Sequence, residues 1–191
     1  MIVTPLIAAI ALFAPQGPSL VCPTTGEAVA KAASSIDYAG VRYGTCCAGC
    51  DGPFKKDPAK ALKSPALKGK TAGVSLFDPV TGLRLDAKAA RGGSSDFGGV
   101  RYLFASAENK KAFDAEPKKY GTSPAKEALF CPVMKHEVAS YAASGGYVDH
   151  EGVRYYVCCG GCMDGLKADP AKFVANASAA VKAPVAKNAP K

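Results

Sequence analysis

Apolar and polar positions alternate in three short stretches of this chain: Val41-Arg42-Tyr43, Val100-Arg101-Tyr102 and Val153-Arg154-Tyr155, each preceded by a glycine. Such alternation predicts half-buried strands, with Val and Tyr inward and Arg42, Arg101 and Arg154 on an outer face. The residues in front read as the first arm and turn of a β-hairpin: Asp37-Tyr38-Ala39-Gly40, Ser95-Asp96-Phe97-Gly98-Gly99 and Tyr147-Val148-Asp149-His150-Glu151-Gly152. Gly40 suits a turn position of positive φ. A short helix is predicted behind each strand. The first begins within 47–50 and passes through Phe54; the second runs from an N-cap at Ser106 through Asn109, Ala112 and Phe113; the third covers 160–168. Asp57-Pro58 and Asp169-Pro170 stop the outer two, because a residue before proline is disfavoured in the α region. Phe113 and Tyr120 are expected to pack back on their hairpin.

The order of these pieces repeats. Cys22-Pro23 leads into the first hairpin, Asp78-Pro79 into the second and Cys131-Pro132 into the third. Asp57-Pro58-Ala59-Lys60, Glu116-Pro117-Lys118-Lys119-Tyr120 and Asp169-Pro170-Ala171-Lys172 close them. Self-similarity at this spacing means three copies of one supersecondary unit, over 20–63, 74–121 and 128–176. A unit of about 45 residues buries too little apolar surface to fold comfortably alone, so it needs a metal, disulfides or a neighbour. Residues 64–73 and 121–126 read as linkers. Residues 177–191, rich in Ala, Lys and Pro, read as a disordered tail.

Residues 1–14 form an uncharged apolar run, too short for the roughly 20 residues a membrane helix needs but suited to a signal-peptide core. No Lys or Arg precedes it and Pro5 interrupts it, so a short buried helix or strand is the alternative. The expectation is a signal peptide over 1–19, an extracytoplasmic (periplasmic or secreted) protein, and no membrane span once it is cleaved. The net charge of +8 comes from scattered lysines, with no run of Arg interleaved with aromatics. It permits weak adhesion to polyanions and gives no reason to expect a specific nucleic-acid partner.

The candidate chemistry lies in eight cysteines, four in each outer unit and none in the middle one. Cys22 and Cys131 open their units; Cys46, Cys47, Cys50 and Cys158, Cys159, Cys162 sit where strand meets helix. A helix N-terminus favours thiolate, and four thiolates match a tetrahedral zinc site in count, while sulfur alone also suits Cu(I). All eight are therefore candidate ligands for about one zinc or Cu(I) ion per cysteine-rich unit. Neighbouring residues point different ways, so one member of each pair, Cys46-Cys47 and Cys158-Cys159, is left as a spare thiol, a low-coordinate copper ligand or a disulfide partner. An even number of cysteines in an exported chain equally invites a disulfide framework without metal, serving an interaction module that docks a partner through its middle unit. A thiol–disulfide oxidoreductase using Cys47/Cys50 and Cys159/Cys162 is a third reading, but neither CxxC lies in a βαβ context. His136 is a candidate auxiliary ligand, and His150 reads as a solvated side chain at a hairpin turn. No catalytic set is apparent, and the chain is not expected to be an enzyme.

This grammar resembles the YHS domain and the related TRASH domain, small metal-binding units linked to heavy-metal trafficking, resistance and sensing. The resemblance rests on Cys/Asp-Pro near the start, Gly-x-x-Tyr before the cysteine cluster, a second Cys four residues on, and the closing Asp-Pro-x-Lys. It implies a small α+β fold of three tandem metal-finger-like units, each a β-hairpin plus a short helix, related to treble-clef or zinc-ribbon folds. Carried over by position, the family's ligands fall on Cys22, Cys46 and Cys50 and on Cys131, Cys158 and Cys162. Asp78, Ala105 and Asn109 replace them in the middle unit, which would then serve as a spacer or a partner surface.

Overall fold

A computed structural model of the chain describes residues 19–190; the expected signal peptide lies almost wholly outside them. The architecture is small and mixed α+β, built from several small sheets and short helices. Strands β1 (Ser34–Tyr38) and β2 (Val41–Thr45) form the first hairpin, followed by a 3-10 turn at Ala48–Cys50 and helices α1 (Asp51–Lys56) and α2 (Pro58–Ala61). After β3 (Gly73–Ser75) comes the second hairpin, β4 (Ser94–Phe97) and β5 (Val100–Leu103), with α3 (Ala107–Ala115) and α4 (Pro117–Tyr120). Three short strands follow, β6 (Lys126–Ala128), β7 (Phe130–Cys131) and β8 (His136–Glu137). The third hairpin is β9 (Gly146–His150) and β10 (Val153–Val157), with α5 (Gly160–Ala168) and α6 (Pro170–Val174), and β11 (Lys187–Asn188) is the last strand.

The hairpins share one turn chemistry. Each reverses over two residues with positive φ at both: Ala39 and Gly40, Gly98 and Gly99, Glu151 and Gly152. That is the turn whose twist matches a right-handed strand pair, and glycine at its second position removes the steric cost of the left-handed region. Each hairpin also carries the same cross-strand ion pair. Arg42, Arg101 and Arg154 donate through Nε to Asp37, Asp96 and Asp149 at 2.8 Å in every case. Arg154 departs from the expected outer face: it is buried, stacked 3.7 Å from the centre of the Tyr147 ring. Its planar guanidinium tolerates this because the Asp149 carboxylate, the Thr122 carbonyl and the ring satisfy it together.

Two strands begin at the last residues of the expected linkers and take part in the sheets. β3, which starts at the last residue of the first linker, lies antiparallel to β2 and parallel to β5, so the first two hairpins join in one six-stranded sheet of order β11-β1-β2-β3-β5-β4. Gly73 makes this possible, because a Cβ there would stand 2.5 Å from Val41 and 2.6 Å from Tyr43. Likewise β6 runs parallel to β10, on the edge opposite β9. The tail corrects the expectation of disorder. Lys182 exchanges backbone hydrogen bonds with Glu127, and β11 adds to the edge of β1. Main-chain pairing to an open strand edge needs no large side chains, so a poor apolar composition does not forbid it.

The first two hairpins and their helices share one core, with Ile36, Tyr43, Phe54, Phe104 and Phe113 at its centre. A second core surrounds the third hairpin and draws in Phe77, whose ring meets Tyr147 and Tyr156. Glu127 on β6 fixes that junction. Its buried carboxylate accepts from the Tyr141 hydroxyl and, at 3.3 Å, from Tyr156, while the Tyr141 oxygen accepts from the Ala39 amide at 3.2 Å. Burial pushes the Glu127 carboxyl up, against the opposing pull of the two hydroxyls, Arg154 and Lys182. Since the folded state holds this proton more tightly than the unfolded chain, stability should fall as pH rises from the ordinary glutamate value, about 4.3, to the raised one. In Glu127→Gln that decline should disappear, read as urea midpoints from pH 4 to 8. Parallel curves for the two proteins would contradict it.

Candidate metal centre

Three tight turns and three helix starts build the site. Cys22, Asp78 and Cys131 each open a turn in which the residue four places on donates to their carbonyl, at 2.8, 2.8 and 2.7 Å. Those donors, Gly26, Gly82 and Lys135, all have positive φ. The turn aims the first side chain at the place where the second hairpin strand passes into a helix. Cys46 and Cys50, or Cys158 and Cys162, wait there.

The outer sites each bring three sulfurs together. The Sγ atoms of Cys22, Cys46 and Cys50 lie within 4.8 Å of one another, as do those of Cys131, Cys158 and Cys162. Cys46 and Cys50 are 3.6 Å apart, and Cys158 and Cys162 are 3.8 Å apart. Thiolates held about 2.3 Å from a shared tetrahedral ion stand about 3.8 Å apart, so the observed spacing fits a thiophilic metal. In both sites the first and last cysteine are buried and the middle one is half-buried.

Local dipoles prepare the first thiol for this role. Burial pushes the Cys22 thiol up, but the amides of Cys46, Thr25 and Thr24 and the Thr25 hydroxyl outweigh it and bring it down to about 6. In the third hairpin segment burial again opposes, and the amides of Cys158 and Met134 again prevail, holding Cys131 below the ordinary thiol value. A thiol favoured as thiolate beside neighbours that remain protonated is a soft anionic donor in a pocket of weaker ones. Cys50 is pushed up by its hydrogen bond with Cys47 and then by burial, Cys162 by burial and then by Cys159.

The middle segment repeats the geometry with other atoms. Asp78 is fully buried, and its Oδ1 accepts from the amides of Val80 at 3.0 Å and Thr81 at 3.4 Å. Its Oδ2 accepts from the Ala105 amide at 2.9 Å and from the Asn109 side-chain amide at 2.7 Å. Val80, Thr81 and Ala105 hold the places of Thr24, Thr25 and Cys46, so a carboxylate sits among the donors that surround Cys22 elsewhere. Asn109 stands where Cys50 and Cys162 stand. The segment thus ties turn to helix with a hydrogen bond.

Of the eight candidate cysteines, six form the triads. Cys47 and Cys159 stay outside them, exposed, with Sγ 3.2 Å from Cys50 and 3.6 Å from Cys162. His136 is exposed, with Nδ1 2.9 Å from the Glu137 carbonyl, and His150 is partly exposed beside Glu151; neither joins a triad. Sequence reasoning missed the Asp–Arg pairs, although an aspartate five residues ahead of each strand arginine was there to be seen. Among the described residues no helix is long and apolar enough to cross a membrane. Compared with family profiles, curated proteins and solved structures, the chain has no match, so the two sulfur triads themselves carry the functional reading.

Proposed function

We propose that this chain is a non-enzymatic heavy-metal-binding protein of the YHS/TRASH kind, which holds one thiophilic ion, zinc or Cu(I), in each cysteine triad. The single observation that carries the reading is the convergence of two separate sets of three sulfurs at the spacing of a shared ion. The amide donors around Cys22 and Cys131 support it, because they favour the deprotonated form that a metal requires. In this reading the three hairpin-and-helix segments are tandem units of treble-clef or zinc-ribbon type, the middle one a spacer or partner surface. The protein acts outside the cytoplasm, sequestering, passing on or sensing its metal.

Native mass spectrometry of the protein purified from an exporting host without added reductant, with a thiol count on the same sample, tests this. Two bound ions are expected, and the double variant Cys46→Ser/Cys158→Ser should lose both. No metal, with a mass lowered by about eight hydrogens as the eight cysteines close four disulfides, would replace the reading with a stapled interaction module.

A further inference from the structure

Cys47 and Cys159 are unexplained by metal binding alone. Each occupies the N-cap of the helical stretch that carries the last triad ligand, and neither side chain makes a capping hydrogen bond. The middle segment shows what that seat ordinarily does: Ser106, at the same place, accepts from the Asn109 amide and caps α3. Serine is among the favoured capping residues. The two segments with a sulfur triad have cysteine there, and the one without has serine. The cysteine is therefore tied to the presence of the triad, and capping does not account for it.

The distances say what it can do. The Sγ of Cys47 is nearer to Cys50 than Cys46 is, 3.2 Å against 3.6 Å. In the third segment Cys159 is nearer to Cys162 than Cys158 is, 3.6 Å against 3.8 Å. Cys50 and Cys162 are buried, whereas Cys47 and Cys159 face solvent. A soluble oxidant therefore meets the exposed thiol first, and that thiol's nearest sulfur is a triad ligand.

We propose that Cys47–Cys50 and Cys159–Cys162 are redox switches that release the bound ion, an inference that rests on the metal reading above. Hydrogen peroxide is the oxidant. The Cys47 thiolate donates an electron pair to one peroxide oxygen; the O–O bond breaks, a sulfenic acid forms and hydroxide leaves. The Cys50 sulfur then attacks the Cys47 sulfur, making the S–S bond and breaking S–OH. Two sulfurs have lost one electron each, the peroxide has gained both, and two protons from solvent complete two waters. Cys50 can no longer serve as a thiolate ligand, so the triad falls to two sulfurs and the ion leaves. Cys159 and Cys162 act in the same way. A dithiol reductant restores both triads.

The test uses the full reduced chain loaded with zinc, freed of excess metal and treated with hydrogen peroxide beside a chromogenic chelator, with disulfides mapped by peptide mass spectrometry. The wild type should release both ions as Cys47–Cys50 and Cys159–Cys162 disulfides form, and should rebind them after dithiothreitol. The variant Cys47→Ser/Cys159→Ser should load the same two ions, serine being a good cap, and release them about ten-fold more slowly. Release as fast as in the wild type, or disulfides joining Cys46 to Cys50 and Cys158 to Cys162, overturns the switch while leaving the metal reading intact. A variant that no longer loads zinc makes Cys47 and Cys159 ligands and also overturns it. Failure of the wild type to take up any ion before peroxide is added sinks the metal reading itself, and the switch with it.

Discussion

Replacing Asp78 by alanine is expected to destabilise the protein by about 3–5 kcal/mol, because it strands several donors of a buried hydrogen-bond network at about 1–3 kcal/mol for each one left unsatisfied. The carboxylate is fully buried and accepts four hydrogen bonds, two from its own turn and two from the start of α3. Alanine leaves those four donors without their acceptor. For a chain of this size each kcal/mol moves the melting midpoint by about 2–4 °C, so the drop should be about 6–20 °C. Asp78→Asn keeps the shape but turns an amide donor toward donors, and should fall between the two. Differential scanning calorimetry decides; a midpoint within two or three degrees of wild type would mean that the turn and helix are held by the Phe104–Phe113 packing alone.

The effect should be this large because Asp78 works where a metal would. In the outer segments a turn thiolate and a helix thiolate can be joined through an ion, and here a carboxylate and an amide are joined directly. This equivalence was partly legible in the sequence. Cys22, Asp78 and Cys131 all precede proline, and Ala105 and Asn109 match the other ligand positions by spacing alone. The hairpins, the Ser106 cap and the helix at Gly160–Ala168 were legible for the same reason, since each is set by residues within a few positions of one another. The union of the first two hairpins through β3 was not. Gly73-Val74-Ser75 has too few residues to show a period, and its pairing with β2 and β5 is decided by partners 27 to 34 positions away. The tail escaped likewise, because β11 contributes backbone to β1 and leaves almost no apolar signature. Which cysteine of each adjacent pair turns inward is set by the backbone at the strand-to-helix corner, where Cys47 and Cys159 are both extended. No spacing rule reports that.

A strong chelator is expected to separate the two kinds of tie. An ion bound at a free concentration a thousand-fold above its dissociation constant adds about 4 kcal/mol per site. Stripping both sites of the loaded protein should therefore lower the unfolding midpoint at least as far as Asp78→Ala does, and Cys22→Ser or Cys131→Ser should remove about half of the chelator effect. The loss should be local. In Cys22 the thiolate would no longer be pinned, so the amides of Cys46, Thr24 and Thr25 that point at it should exchange hydrogen faster after chelation. The Ala105 amide, which donates to Asp78 by the same geometry, should keep its protection, because its acceptor is a covalent part of the chain. Asp78→Ala should reverse the pattern, exposing Ala105 and leaving Cys46 protected as long as metal is present. Hydrogen exchange on the loaded and stripped protein reads all of these amides in one experiment. Equal protection at Cys46 and Ala105 in both states would mean that the sulfur triads are held by packing and owe nothing to an ion.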